Sequence, residues 1–134
     1  MGRNLRRHTY KGMPANMKAK SFCLQLRTER APQFIDITGW VGECVAKSKV
    51  SNGFVVVYSK HTTAAIKINE NEPLLIEDMS KFLEKISPRN GGYQHNDFTI
   101  RTVNMTSDES PTAHAQLQHL LLGTSETVPI VDGS

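Results

Sequence analysis

Residues 52–60 read NGFVVVYSK, and this stretch decides the fold class. Asn52-Gly53 is a strong turn signal, since both residue types tolerate the backbone angles of tight turns. The following run, Phe54 to Ser59, is β-branched and aromatic, which is typical of a strand in the middle of a sheet. The stretch therefore predicts a sheet that other segments must complete.

Several segments on either side of this run indicate further strands. Apolar residues alternate with polar ones at 22–26 and 66–68, which is the period of a half-buried strand. Shorter apolar runs at 35–37 and 98–103 favour additional strands. Residues 127–131 (TVPIV) also predict a strand, and Pro129 assigns it to an edge or a bulge, because proline cannot donate to a ladder.

Three helices separate these strands. Thr38 can cap the first. The second starts at Pro73, which suits a first helical turn, and stops before Pro88. The third spans 111–122, begins after Ser110 and ends at Gly123. Helices and strands are interleaved but not in regular βαβ order, so we predict a single α+β domain over residues 21–134.

The third helix separates two histidines by geometry. At about 100° per residue, His114 flanks an apolar stripe and His119 lies about 140° away from it. The stripe consists of Ala113, Leu117, Leu120 and Leu121. We therefore expect His114 and His119 to point to different places.

The charge distribution weakens a nucleic-acid interpretation of the net charge of +3. Residues 1–20 contain six of the sixteen Lys and Arg residues and no acidic residue, so the rest carries ten basic against thirteen acidic residues. We expect residues 1–20 to form a disordered basic leader, and we expect no nucleic-acid partner.

The sequence also predicts a cytoplasmic protein that does not contact a membrane. No apolar run approaches the roughly 20 residues that a membrane helix needs, and no signal-peptide pattern is present. Cys23 and Cys44 lie in apolar surroundings with no metal or redox spacing, which indicates buried reduced thiols.

Three histidines lie in polar stretches that have no structural need for an imidazole. His61 opens HTTAAIKINENEP, His95 lies in GGYQHND and His114 lies in DESPTAHAQL. Imidazole nitrogens from separate segments, with carboxylates nearby, suit a divalent metal or acid–base chemistry. Each histidine also has a simpler interpretation: a hydrogen-bonded turn for His61, exposure for His95, and packing near a helix start for His114.

The acidic residues near helix starts likewise have two interpretations. Glu72 precedes Pro73, where a carboxylate complements the positive end of the helix dipole, so capping is the preferred role for it. Glu109 precedes the third helix, where the same electrostatic role competes with ligand binding.

The blocks HTTAAIKINENEP, GGYQHNDFTIR and DESPTAHAQLQHLLLGTSETVPIVDG closely resemble the YjbQ family, also called the secondary thiamine-phosphate synthase family. The resemblance runs from about Phe22 to the last residue. It implies a bulged mixed sheet with two or three helices, a homotrimer, and a His-rich site for a divalent metal (Zn or Mg) or a phosphate-like anion. The family's pattern continues beyond VDG through further strands, and we expect those strands to be absent from this domain.

Carried over residue by residue, the resemblance implies a set of site residues. His61 and His114 would be catalytic, and His61, His95 and His114 would hold a metal. The substrate-binding residues would be Thr62, Thr63, Asn69, Glu70 and Glu109.

Two functions remain open from the sequence. The resemblance implies a weak transferase of the thiamine-phosphate synthase type, which joins a pyrimidine diphosphate to a thiazole phosphate. The alternative is a non-catalytic trimeric module that binds a metal or an anion. Both take a small phosphorylated molecule or an ion as the partner.

Overall fold

A computed structural model describes residues 19–134 of the chain. The elements, in chain order, are α1 (Thr38–Ser48), β1 (Gly53–Tyr58), α2 (Pro73–Ile86), a 3₁₀ helix (Gln94–Asn96), α3 (Ala113–Leu122) and β2 (Ser125–Ile130). The predicted α+β class with three helices is confirmed.

The sheet of the described residues consists of β1 and β2, paired antiparallel. Gly53 lies opposite Ile130 and Tyr58 opposite Ser125, and the register between them is continuous, so this pair contains no bulge and no parallel strand. Both strands were predicted, although β2 begins two residues earlier than expected. A strand pair of this size is marginal by itself, so it depends on what packs against it.

The other predicted strands do not form. Residues 22–26, 35–37, 66–68 and 98–103 have no strand conformation. Ile66 makes one backbone bond, from its N–H to the carbonyl oxygen of Gly123 (3.3 Å), which ties the segment to the end of α3 without extending the sheet. The alternating patterns describe a face that could be buried, but residues 19–134 supply no ladder partner for these segments.

Helix α2 starts as its sequence indicates. Pro73 occupies the first turn, and the carboxylate of Glu72 accepts hydrogen bonds from the backbone N–H groups of Leu74 (3.0 Å) and Leu75 (2.7 Å). The predicted capping role of Glu72 is thus confirmed. The helix ends at Ile86. The next residue, Ser87, donates its backbone N–H to the carbonyl oxygen of Leu83.

Helix α3 leaves most of its apolar stripe uncovered and packs through residues at and beside the edge of the stripe. Its buried residues are Ala113, His114 and Gln118, whereas Leu117, Leu120 and Leu121 are 45%, 77% and 60% exposed. Periodicity identifies the apolar side of a helix but not the molecule that covers it.

The apolar core of the described residues is small. Its buried apolar members are Cys44, Leu83, Ala113 and Ile130. Many large apolar side chains remain exposed, including Phe54 and Phe82. Cys23 is exposed, contrary to prediction, because the strand that would have buried it does not form.

The sequence also led to expectations about a basic leader and about membrane-spanning helices. The basic leader at residues 1–20 falls, apart from its last two residues, outside the described residues. No helix within residues 19–134 is both long and apolar enough to cross a membrane.

Candidate functional site

The HTTA block forms a tight turn directly after β1. The backbone N–H of Ala64 donates to the carbonyl oxygen of His61 (3.2 Å). Inside the turn, Nδ1 of His61 accepts from the backbone N–H of Thr63 (3.2 Å) and lies 2.8 Å from the Thr63 hydroxyl. Thr62 is exposed at the tip. The block therefore holds one ring nitrogen of His61 inside the turn.

This turn determines which nitrogen of the neutral His61 ring carries the proton. A backbone N–H can only donate, so Nδ1 must accept, and the proton of the neutral ring must lie on Nε2. Nε2–H is then a donor. A histidine that binds a metal through Nε2 normally donates its other N–H to a partner, and the Nδ1 contact here leaves no such proton. The geometry of His61 suits an anion better than a metal ion.

The turn docks against the C-terminal end of α3. The backbone N–H of Ser59 donates to the carbonyl oxygen of Thr124 (2.9 Å), and Ile66 bonds to Gly123 as described above. An ion pair between Lys67 and Glu126 adds a side-chain link across the same region. Two of the blocks that carry the family resemblance, HTTA and LLGTSE, are thus neighbours in space.

A second polar cluster surrounds the N-terminal end of α3. The side-chain oxygen of Asn96 accepts from the backbone N–H of Ala113 (3.0 Å), so a loop residue rather than Ser110 caps the helix. Nε2 of His95 lies 3.4 Å from the amide nitrogen of Gln116, which also lies 3.4 Å from the hydroxyl of Thr112. The GGYQHND block and the TAHAQ block therefore meet here.

His114 lies in the first turn of α3 and is the most unusual residue of this cluster. Its side chain is only 5% exposed, and neither ring nitrogen has a hydrogen-bond partner among the described residues. Buried polar atoms without a partner are rare and cost about 1–3 kcal/mol each. A ligand with complementary atoms would remove this cost. The positive end of the helix dipole at the same place favours a negatively charged ligand.

The structure separates the predicted histidines into two groups. His95 and His114 belong to the N-terminal end of α3, whereas the His61 turn docks at Gly123, about 13.5 Å further along the helix axis at 1.5 Å per residue. Residues 19–134 contain no group of three or more His, Cys, Asp or Glu side chains placed to hold a metal ion. One chain's described residues thus do not fit a zinc or magnesium site.

Glu109 forms an ion pair that serves the loop before α3. Its carboxylate accepts from Nη1 of Arg101 (2.9 Å) and from the hydroxyl of Thr106 (3.3 Å). The hydrogen bond from Arg101 is the main reason that the pKa of Glu109 lies below its ordinary value. This carboxylate is already satisfied within the chain.

The side chain of Asn69 has local hydrogen-bond partners, and the side chain of Glu70 has none among the described residues. The amide nitrogen of Asn69 contacts the sulfur of Met79 (3.2 Å), and its oxygen accepts from the backbone N–H of Glu70 (2.9 Å). Both residues are exposed on the segment that leads into α2. No contact among the described residues connects them to the histidines.

Two buried polar residues that the sequence did not single out hold the His114 region together. The amide nitrogen of Gln118 donates to the carbonyl oxygens of Leu83 (3.2 Å) and Ser87 (3.1 Å). The hydroxyl of Ser87 donates to the carbonyl oxygen of His114 (3.1 Å). These bonds join residues 27 to 35 positions apart, and no local sequence signal announces them.

Comparison with known proteins supplies the family context for this arrangement. A family model described as "UPF0047 protein YjbQ-like" matches residues 23–134. A UPF0047 protein of Methanothermobacter thermautotrophicus is 40% identical over 111 residues, which cover 83% of this chain and 70% of the relative. One from Archaeoglobus fulgidus is 39% identical over 110 residues and covers 82% and 76%.

Solved structures are similar over the same region. A hypothetical protein from Aeropyrum pernix K1 has a TM-score of 0.69 at 36% identity, covering 81% of this chain and 72% of that chain. An uncharacterised YjbQ/UPF0047 protein from Clostridium acetobutylicum has a TM-score of 0.68 at 35% identity, covering 81% and 75%. The names of these proteins state a family but no activity.

Proposed function

The chain belongs to the YjbQ-like UPF0047 family, and we propose that it binds a phosphorylated small molecule at the N-terminal end of α3. The observation that carries the proposal is the buried imidazole of His114, whose two ring nitrogens lack partners within the described chain. A neutral imidazole offers one donor and one acceptor, and phosphate oxygens accept from such donors. Phosphate at a helix N-terminus is also stabilised by the dipole.

Neighbouring side chains support this choice of ligand. His95 and Gln116 contact each other at the same N-terminal end of α3, and both can donate hydrogen bonds. From the HTTA turn of a second copy, His61 would present its Nε2–H, and Thr62 and Thr63 would add hydroxyl groups. In a complete site, the HTTA residues of a second copy would face the ligand that His114 holds.

Binding at this site does not require a metal ion. The donor set of one chain does not fit Zn or Mg, so no step is assigned to a metal here. If the site has a divalent ion, its ligands would come from His61, His95 and His114 of more than one copy. Asn69, Glu70 and Glu109 have no assigned role in ligand binding beyond the family resemblance.

The reaction that fits such a site is transfer of a pyrimidinylmethyl group from a pyrimidine diphosphate to a thiazole phosphate. Protein N–H and O–H donors would stabilise the departing diphosphate, which carries the charge that develops in the transition state. His61 and His114 would donate to that leaving group. The alternative, a module that binds the anion without chemistry, uses the same residues and differs only in turnover.

We further propose a homotrimer in the cytoplasm. The leucine face of α3 and the exposed face of β1 are apolar surfaces of the kind that subunit interfaces cover. Both described cysteines are free, which is consistent with a reducing compartment.

A combined binding and activity experiment tests the function. We expect wild-type protein to bind pyrophosphate in isothermal titration calorimetry, and His114→Ala to lose that binding while retaining its circular dichroism spectrum. Incubation with the pyrimidine diphosphate, the thiazole phosphate and Mg²⁺, Mn²⁺ or Zn²⁺ then distinguishes the two functions. Thiamine phosphate that disappears with His61→Ala supports the transferase, whereas binding without product supports the module. Absence of pyrophosphate binding by the wild type would refute both.

A further inference from the structure

We propose that Ser87 and Gln118 are positioning residues that set the place and orientation of His114 in the anion site, an inference that rests on the proposed function. Both side chains are nearly inaccessible to solvent, at 3% and 6% exposure, and His114 is 5% exposed. The three residues therefore form one buried polar group between the end of α2 and the first turns of α3.

The bonds within this group run in both directions. The last carbonyl groups of a helix have no partner inside the helix. At the end of α2, Gln118 of α3 donates to the carbonyl oxygen of Ser87 and to that of Leu83, which also accepts from the backbone N–H of Ser87. In return, the hydroxyl of Ser87 donates to the carbonyl oxygen of His114. Three hydrogen bonds thus tie α3 to the end of α2, one at His114 itself and two at Gln118, four residues further along the helix.

Ser87 also connects His114 with the loop that carries His95. The hydroxyl of Tyr93 lies 3.0 Å from that of Ser87 and donates to the carbonyl oxygen of Pro88 (2.8 Å). His95 follows Tyr93 by two residues, in the 3₁₀ helix. Ser87 is therefore the one described side chain that contacts both the His114 backbone and this loop.

Because Ser87 and Gln118 contact the backbone, they determine where the His114 ring lies and do not change its chemistry. Ser87 and Gln118 bond to main-chain oxygens, so they fix the helix turn from which the imidazole projects, and they leave its nitrogens free. Binding groups must be held within about 0.5 Å of the productive geometry, and the supporting side chains provide that precision. Loss of a residue that orients a metal ligand typically weakens metal binding about 10- to 100-fold, and we take the same scale for a residue that orients an anion-binding imidazole.

A matched pair of serines on and beside α2 makes this testable. Ser87→Ala removes the hydroxyl that reaches His114. Ser80→Ala removes a hydroxyl that donates only to the carbonyl oxygen of Ile76 in the same helix (2.9 Å). We expect the pyrophosphate affinity, measured by titration calorimetry on the full chain, to fall about tenfold or more in Ser87→Ala. We expect it to stay within twofold of wild type in Ser80→Ala.

Two more variants separate positioning from a general loss of stability. Ser87→Thr keeps the hydroxyl and should restore most of the affinity. Gln118→Met keeps the volume but removes both N–H donors, and it should weaken pyrophosphate binding as Ser87→Ala does. The ¹⁵N signals of the His114 ring, identified by their absence in His114→Leu, should shift in Ser87→Ala but not in Ser80→Ala.

The outcomes distinguish the two levels of the proposal. If the wild type binds pyrophosphate and Ser87→Ala binds it equally well, the positioning role is refuted and the proposed function stands. If Ser87→Ala lowers the melting temperature but changes neither affinity nor the His114 signals, the contact is structural only. If the wild type fails to bind pyrophosphate, the function and the positioning role are both refuted.

Discussion

Replacement of His114 by leucine should stabilise the protein while abolishing anion binding. His114 and Gln118 are almost equally buried on the same helix, at 5% and 6% exposure, but only Gln118 has hydrogen-bond partners among the described residues. The two residues therefore allow a direct comparison between a satisfied and an unsatisfied buried polar side chain. We expect substitution by leucine to raise the free energy of unfolding at His114 and to lower it at Gln118.

The magnitudes follow from the hydrogen bonds. An unsatisfied buried donor or acceptor costs about 1–3 kcal/mol, and a neutral imidazole has one of each. Leucine retains an apolar side chain of comparable size, although it fits the cavity less well. We expect His114→Leu to raise the free energy of unfolding by about 1–3 kcal/mol, and Gln118→Leu to lower it by a similar amount, because the carbonyl oxygen of Ser87 then loses the Gln118 donor and that of Leu83 keeps only the Ser87 N–H.

Urea denaturation without ligand measures both values, with a shift in melting temperature of about 4 °C per kcal/mol as a second readout. Pyrophosphate should reverse the order. At about 100 times its dissociation constant, a ligand that binds only the folded state adds about 2.7 kcal/mol to the wild type. It should add nothing to His114→Leu.

One result would refute the reasoning. If His114→Leu loses more than about 2 kcal/mol in the absence of any ligand, the ring nitrogens must already be satisfied in the free protein. His114 would then be a structural residue, and the orphaned nitrogens could no longer support an anion site.

Three further predictions concern other parts of the chain. Gly91→Ala should destabilise the protein by about 1–3 kcal/mol, because the new Cβ would lie 2.6 Å from the ring of Tyr93, whereas Gly92→Ala, with no atom within 4 Å, should be neutral in the same thermal melt. The lowered pKa of Glu109 gives stability that is present above the ordinary value of 4.5 and lost as the pH falls through the lowered value, so Glu109→Gln should flatten the acid unfolding curve there, and an unchanged curve would contradict this. Leu120→Glu should shift the molar mass in light scattering from trimer to monomer, and an unaltered trimer would exclude this leucine face from the interface.

The sequence predicted those parts of the fold that depend on neighbouring residues. The strand that begins at Gly53 and the Glu72 cap of α2 rest on interactions within a few positions, so their signals are visible in the chain. The strands expected at 22–26 and 66–68 depend on a partner strand. An alternating pattern cannot reveal whether residues 19–134 provide one.

The candidate site was less predictable for the same reason. The polar residues around His95 and His114 marked both histidines as candidates. The hydrogen bonds of Ser87 and Gln118, however, connect positions about thirty residues apart. Serine before proline and glutamine in a helix are both ordinary in sequence. The Nδ1 contact of His61, by contrast, lies within its own turn, yet its consequence for the proton depends on a backbone angle that residue types do not specify.

The two anomalies of α3 have one explanation. A helix that buries His114 and Gln118 and exposes three leucines would be unstable as an isolated surface helix, because its polar side should face water. Gln118 is satisfied by α2, so its burial is compensated, and a ligand would compensate His114 in the same way. The leucines require a cover of their own, and the described chain does not provide it. If another copy supplies that cover, assembly and ligand binding stabilise adjacent faces of the same helix, since Leu121 lies only about 20° from His114 around the helix axis. Anion binding should then strengthen subunit association, and subunit dilution should weaken anion binding by the same factor, since the coupling between two binding equilibria is reciprocal.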